Sequence, residues 1–580
     1  MALSLAPFAN AAPMLRLVGT TIGPASIAVG SNGPTRVVEA YNAGDGALPL
    51  TVTSSAPWAV PTVGPAGPCT TTNQVAAPCI PISVALNTAS LTAGPQTAIL
   101  TVTGDANTVD APQTIAVIAA MGGSVPSTIT AYVPPNGSVD VPTPTNGGLR
   151  AQATTQDGNN WLSMTTPGGG SFQFVYNWSV HIAPQPANAP GTYYGTMAIS
   201  GSNFAGDNKT ITVTMNVTTL PIAQAPAAVA VRLAQGAPPM DATFPAARVT
   251  LNNLGQGTLT VTGVSATTAS CGNSWLTAAT TSTGANLTFD PTGQAVGTCT
   301  ATLTFTTNAA NTLAPVPVTM QVVAKGPPLI NYQGVVDNAT YTPGGTVSPG
   351  DIVVVKGEQF SFASGANGYL SAGQVPLPTS LGGVSVSVNG QPAPLYYAFY
   401  GQIAFEMPWE IAPGAALVKV TNSNGVVSNP ASVQVAAKAP GILLINGGPY
   451  GVITNAIDGS FPFPVGTFPG VSSHPVSVGD ILTIWAIGLG PSTPAASDGQ
   501  PPPYPPTPWL VVVPAVSFGT GGGLVPPVSA TPSYAGPHSV YPGLYQVNVT
   551  VPPGCPTGTV SVRLAFGDGT LSNAVPVAVQ

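Results

Sequence analysis

Three tryptophans recur in similar settings along the first half of the chain. They lie in SSAPWAV (Trp58), DGNNWLS (Trp161) and CGNSWLT (Trp275), 103 and then 114 residues apart. Each is followed by a Gly-bearing turn and an alternating segment: LTAGPQTAILTVTG, APGTYYGTMAISG and AVGTCTATLTFTT. Each repeat then closes on a second alternating segment, PQTIAVIAAM, NKTITVTMNV or PVPVTMQVVA. Alternation means one buried and one wet face, hence strands. A period near 100 residues, with turn signals every ~8–12, implies β-sandwiches in tandem. One tryptophan at one place per repeat fits a core plug better than a sugar-stacking surface. The same logic buries Trp485, in DILTIWAIGLG. Trp409 and Trp509, in Pro-rich segments, suit contacts between domains or subunits.

The 580 residues exceed what one core holds, at roughly 100–200 residues per domain. Only 5% are charged, against about 25% in ordinary soluble domains. The 11 Lys and Arg are scattered singly from Arg16 to Arg563, so no basic patch exists for nucleic acid. No run of about 18 apolar residues occurs, so no membrane span is expected. Gly 67 and Pro 65 punctuate Val-, Thr- and Ala-rich runs, which again reads as short strands and tight turns. A surface so poor in charge resists association weakly, which suits assembly or glycosylation.

The first three repeats resemble the bacterial Ig-like module called BACON, through the W-[AL] step after small or polar residues, the small-Gly turn and the strand behind it. Copies one (YNAGDGALPL) and three (LNNLGQGTLTV) share an N-x-G strand that copy two lacks. Past Pro327 the pattern changes. TVSPGDIVVVKGEQF and PVSVGDILTIWAIGLGP are copies of one unit, as are GQIAFEMPWEIAPGAALVKVTNSNGVVSN and GLYQVNVTVPPGCPTGTVSVRLAFGDGTLSN. Val384, Val386 and Val388 alternate with Ser385, Ser387 and Asn389, and Asn389-Gly390 suits a two-residue hairpin turn. Pro392 and Pro394 mark the return as an edge strand or a bulge. With NATYTPGGTVSPGD and AKAPGIL, this region resembles the C-terminal domain pair of secreted acidobacterial (Solibacter-type) proteins. That resemblance implies an extracellular Ig-like pair and carries over no catalytic residue.

The expected fold is therefore all-β: tandem Ig-like β-sandwiches in an elongated array. The expected divisions are an N-terminal arm or signal remnant (1–19), sandwiches at 20–124, 125–221, 222–326 and 327–438, and a fifth at 439–580 with a Pro-rich insertion. That insertion, PSTPAASDGQPPPYPPTPWL, reads either as a polyproline II recognition segment or as a stiff excursion.

Chemistry is sparse. Glu406 and Glu410 flank Met407-Pro408-Trp409, but QVNVTVPPG in the second copy has neither acid, so they read as decoration on a turn rather than a glycosidase pair. His181, His474 and His538 have no nucleophile motif around them. No cofactor is expected. Structural calcium is a lesser expectation, at Asp105, Asp110 and Asp568 on inter-strand loops.

The function expected is a non-catalytic extracellular structural protein of a bacterial surface, a self-assembling filament or surface-layer subunit. The alternative is an adhesin or carbohydrate-binding protein, marked by exposed aromatics clustered on one domain face. Partners would be other copies of the chain, or glycans and cell-surface polymers. Assembly would use the apolar arm through Leu3, Leu5, Phe8, Leu15 and Leu17, pairing with a neighbour's sheet edge. Ala9-Asn10-Ala11 keeps a signal-peptide reading of the same segment open.

Cys69 with Cys79, and Cys271 with Cys299, are close pairs that read as local disulfides in an oxidising compartment, leaving Cys555 over. Peptide mapping without reductant should recover both pairs linked; free thiols at either would overturn the pairing and the secreted assignment.

Overall fold

The computed structural model describes residues 12–44, 46–70, 78–105, 108–123, 125–145, 149–165, 176–202, 205–363, 368–468, 470–519 and 527–580. Among these the protein is all-β, apart from short 3-10 turns. Two compact units emerge, Ala12–Lys325 and Gly326–Gln580.

The sheets of the first unit fall into three sandwiches. In the first, Leu15–Leu17, Gly33–Asn42, Cys79–Leu86 and Ala59–Val63 form one sheet. Thr21–Ile27, Gln113–Met121, Gly94–Thr103 and Thr51–Ser54 form the other. Inward residues such as Ile82, Val84, Leu100 and Val117 meet between the sheets with no exposure to solvent. The sequence period has a topological counterpart: an early strand runs parallel to the closing strand of its sandwich. Thr21–Ile27 pairs this way with Gln113–Met121, Thr128–Val133 with Thr210–Val217, and Val229–Ala234 with Val316–Val323. In the second unit Thr346–Val347 pairs parallel with Ala431–Val435, and a single parallel bridge joins Val476 to Val579. All other strand pairs in these sheets are antiparallel.

The three repeated tryptophans are core plugs. Trp161 and Trp275 are 1% and 0% exposed, and Trp58 is 7% exposed. Burying an indole N–H requires an acceptor. Trp161 donates to Asp157 Oδ1 at 3.1 Å and Trp275 to the Ser270 carbonyl at 2.9 Å. Both expected disulfides are formed, Cys69–Cys79 and Cys271–Cys299. The latter ties the Ser270–Trp275 loop to the strand Gly297–Thr307. Cys555 is a buried free thiol.

The N-terminal boundary is corrected. Leu15–Leu17 is a strand of the first sandwich, paired antiparallel with Ala40–Asn42. Leu15 is fully buried in that sandwich's own core, and Leu17 packs against it. Arg16 holds Asp110 at 2.7 Å, and the Leu15 carbonyl accepts the Gln113 side-chain amide. The short alternation Leu15-Arg16-Leu17 is thus satisfied within its own domain. Leu3, Leu5 and Phe8 lie outside the described residues.

Sandwich three also touches sandwich one. Arg232, 5% exposed, donates to the carbonyls of Thr108 and Asp105 in the last loop of sandwich one. A guanidinium satisfies carbonyls in such a place without a counter-charge, because its several N–H donors are fixed in one plane.

Trp161→Ala and Trp275→Ala should each destabilise their sandwich by about 3–5 kcal/mol. Trp509, 41% exposed, should cost under about 1 kcal/mol when replaced by Ala. Denaturant unfolding of the three variants beside the parent checks the order.

Candidate functional site

The second unit holds the fourth and fifth sandwiches. Its first five-stranded sheet runs Leu329–Asp337, Ile352–Glu358, Gln402–Glu406, Leu395–Ala398, Leu370–Ser371. Val353, Val355, Ile403 and Phe405 point into the core. The opposite face of such a sheet should be wet. Instead Val336, Val354 and Ala404 are buried there under Tyr341, Tyr396 and Tyr397.

A register shift between Leu395 and Tyr397 explains this. Tyr396 is the extra residue of a β-bulge, so two consecutive tyrosines reach the same face. Pro392 and Pro394 had marked this return as an edge or a bulge. The Asn389-Gly390 turn is also as expected, with φ of 50° and 85°.

On that outer face three rings cluster. Tyr397 and Phe399 lie 5.3 Å apart and nearly parallel, and Tyr369 sits 6.2 Å and 5.8 Å from them. Tyr369 is 54% exposed, and the other two are partly exposed. Gln402 donates to the Tyr397 hydroxyl at 2.7 Å, and Lys356 lies 4.9 Å above the Tyr341 ring. Burial pushes the Tyr397 phenol up to about 12, so it stays a neutral donor. Rings backed by an amide, an ammonium and phenolic hydroxyls can hold a ligand with flat C–H faces and hydroxyls at its rim. The remaining aromatic of the stretch, Tyr400, is buried edge-on to Phe362.

Glu406 is not on a surface turn. It ends the strand Gln402–Glu406 with no exposure, at the seam where the fifth sandwich meets the fourth. Ile352 and Ala339 pack there against Ile487, with Leu443 and Leu544 beside them. The Pro-rich insertion forms a strap over this seam. Gly499 N–H donates to Glu406 Oε2, Trp409 N–H donates to Asp498 Oδ1 at 2.9 Å, and Leu377 N–H donates to the Gly499 carbonyl at 2.9 Å. Gly499 has φ +72°, and a Cβ there would lie 2.9 Å from the Leu377 carbonyl oxygen. The insertion is therefore an internal clamp, and Trp409 is the domain contact its setting implied. Trp485 is corrected from buried to half-buried: Leu482, Ile484 and Ala486 face the core and Trp485 faces away.

Burial pushes the Glu406 carboxyl up to about 8, partly opposed by the Gly499 N–H and reinforced by Asp498 and Glu410. Burial also raises Asp351 well above the carboxylate range, with Asp337 adding to it. The Tyr545 hydroxyl, near both, donates to the Gly490 carbonyl at 2.7 Å.

The other acids and histidines are held within the fold. His474 Nε2 lies 2.8 Å from Asp458 Oδ2, and its Nδ1 lies 2.9 Å from the Pro475 carbonyl. Both ring nitrogens face acceptors, so Asp458 raises the imidazole toward its charged form. Ser460, 3.0 Å from Nε2, donates instead to Asp458. With the ring directed at Asp458 and the Pro475 carbonyl, and the Ser460 hydroxyl committed to Asp458, the three are not arranged as a nucleophile and its base. His181 faces its cross-strand neighbour Asp140 at 2.9 Å. Of the calcium candidates, Asp110 holds Arg16, Asp568 holds Lys438 at 2.5 Å, and Asp105 accepts from Thr108. No group of three or more metal-binding side chains occurs among the described residues. No helix among the described residues is long and apolar enough to cross a membrane.

No protein-family model matches the chain, and no curated protein matches it by sequence. Solved structures that it resembles include SGBP-B of a Bacteroides ovatus mixed-linkage glucan utilization locus, in complex with a mixed-linkage heptasaccharide. There the TM-score is 0.23 at 12% identity, covering 78% of this chain and 93% of that one. The human desmocollin-1 ectodomain gives 0.15 at 10% identity, covering 96% and 98%. An endo-fucoidan hydrolase of glycoside hydrolase family 107 gives 0.14 at 14% identity, covering 52% of this chain. The chain spans under half of that hydrolase, 45% and 43% in its two structures. At these scores the likenesses bear no weight for function.

A carboxyl that is neutral when folded and ionised when unfolded stabilises the fold at low pH. That contribution is complete below the unfolded value and is lost as pH rises through about 8 for Glu406. The slope is about 1.4 kcal/mol per pH unit for one group. Glu406→Gln should flatten this loss between pH 5 and 8, and thermal unfolding of the parent and variant across that range reads it. Equal slopes would show that Glu406 is not the group responsible.

Proposed function

We propose that this chain is a non-catalytic extracellular binding protein of the adhesin kind, whose C-terminal unit holds neutral polysaccharide on the outer face of its fourth sandwich. The observation that carries this is the Tyr369–Tyr397–Phe399 cluster, displayed beside Gln402 and Lys356 on a rigid sheet. Pyranose rings offer apolar C–H faces to such rings and hydroxyls to the flanking donors. A chain with 5% charged residues presents little to attract an ionic ligand.

Support for a non-catalytic role comes from the acids themselves. Glu406 is sealed beneath the strap, and Asp458, Ser460 and His474 satisfy one another. Two disulfides and the scarcity of charge suit an extracellular setting. Self-assembly through a free arm loses part of its motive, because Leu15 and Leu17 are engaged in their own sandwich.

Affinity electrophoresis through gels containing hydroxyethylcellulose, xylan, mannan, starch or dextran tests this. At least one should retard the protein, and Tyr369→Ala and Tyr397→Ala should each reduce that retardation severalfold. Migration unchanged in every gel would overturn the reading, as would unaltered retardation of both variants.

A further inference from the structure

The two C-terminal sandwiches match residue by residue through their strand registers. Lys356 stands opposite Gln402 in the fourth, and Trp485 stands opposite Gln546 in the fifth. Two positions along the same strands, Tyr397 pairs with Ala404 in one and Tyr534 with Asn548 in the other. A glutamine and a tyrosine therefore recur at matched positions on the outer face, and Trp485 takes the place of Lys356.

The fifth sandwich assembles further rings around that position. Trp485 lies 5.4 Å from His538, which stacks at 5.0 Å on Tyr541, itself 53% exposed. Trp509 meets Tyr534 edge-on at 5.2 Å. Gln546 donates to Asn548 at 2.9 Å, leaving a pair of amides between the rings. His538 Nδ1 accepts the N–H groups of Val540 and Tyr541, and burial lowers its basicity, so the ring is neutral and its Nε2–H is the remaining donor.

We propose that this face is a second polysaccharide subsite, and that it continues the first across the seam so that one glycan chain of several sugars occupies both. The proposal rests on the glycan-binding reading of the fourth sandwich. Continuity comes from the seam itself. Tyr396, the bulged residue of the first face, donates its hydroxyl to the Pro542 carbonyl, next to Tyr541 of the second. A neutral imidazole, two amides and four aromatic side chains suit uncharged sugars rather than an ionic ligand. A row of stacking positions spanning two domains suits a chain rather than a single monosaccharide.

Calorimetric titration of the full chain tests this, using di-, tri- and hexasaccharides of whichever polysaccharide retards it most in gels. The hexasaccharide should bind the parent at least about fivefold more tightly than the trisaccharide, as for one added ring contact. Trp485→Ala and Tyr541→Ala should each erase that gain and leave trisaccharide affinity unchanged, whereas Tyr397→Ala should weaken both ligands. Equal affinities for the two lengths in the parent, or a gain that survives both variants, would overturn the second subsite and leave the first standing. Absence of binding by any polysaccharide would overturn both. Urea unfolding midpoints matching the parent's would exclude loss of fold in the variants.

Discussion

The structure depends on burial between facing sheets, because the chain has few other means of cohesion. With 5% charged residues, ion pairs are scattered: Arg16–Asp110 and Lys438–Asp568 each pin one loop. What repeats is a set of inward Val, Ile, Leu and Ala side chains from two sheets, closed by a parallel pair of early and late strands. In each of the first three sandwiches a tryptophan is buried in the core. Hydroxyls and amides meet the water that charge meets in most proteins, so few polar groups stand ready for chemistry.

Two of the buried ionisable side chains mark contacts between sandwiches. Arg232 satisfies two carbonyls of a neighbouring domain, and Glu406 receives the Gly499 N–H of the strap. The guanidinium is tolerated because fixed carbonyls meet its N–H groups, and the carboxyl because burial favours its neutral form and the Gly499 N–H meets one oxygen. Removal of either partner would leave a polar group without water or hydrogen bond. The seam in the C-terminal unit therefore rests on a few specific bonds laid over a small apolar patch, Ala339, Ile352 and Ile487. That arrangement fixes the relation between the two aromatic faces of the unit.

The candidate site arises from a single irregularity. A regular strand would put Tyr396 and Tyr397 on opposite faces, one in the core and one in water. The bulge sends both outward over Val354 and Ala404, and Phe399 follows Tyr397 on the same side. Tyr369 arrives from a segment with no strong pattern of its own. The fifth sandwich reaches a comparable face without a bulge, through Trp485 and Tyr534 on regular strands.

Period-two alternation, turn residues and the spacing of Trp58, Trp161 and Trp275 determined the all-β class, the repeat and the cysteine pairing, because each is set by neighbours close in sequence or by a pattern that recurs. The Asn389-Gly390 hairpin and the Val384–Val388 alternation were legible for the same reason. Trp485 was misjudged because alternation tells that two faces differ, not which one a lone aromatic in a hydrophobic run occupies. Leu15 and Leu17 could be seen as strand-like, but their partner, Ala40–Asn42, lies more than twenty residues away and had no local signal. Glu406 resembled a surface acid until a strap some ninety residues further on covered it. Tertiary structure alone decided the bulge, the seam and the meeting of Tyr369 with Tyr397 and Phe399, because each depends on long-range register and docking.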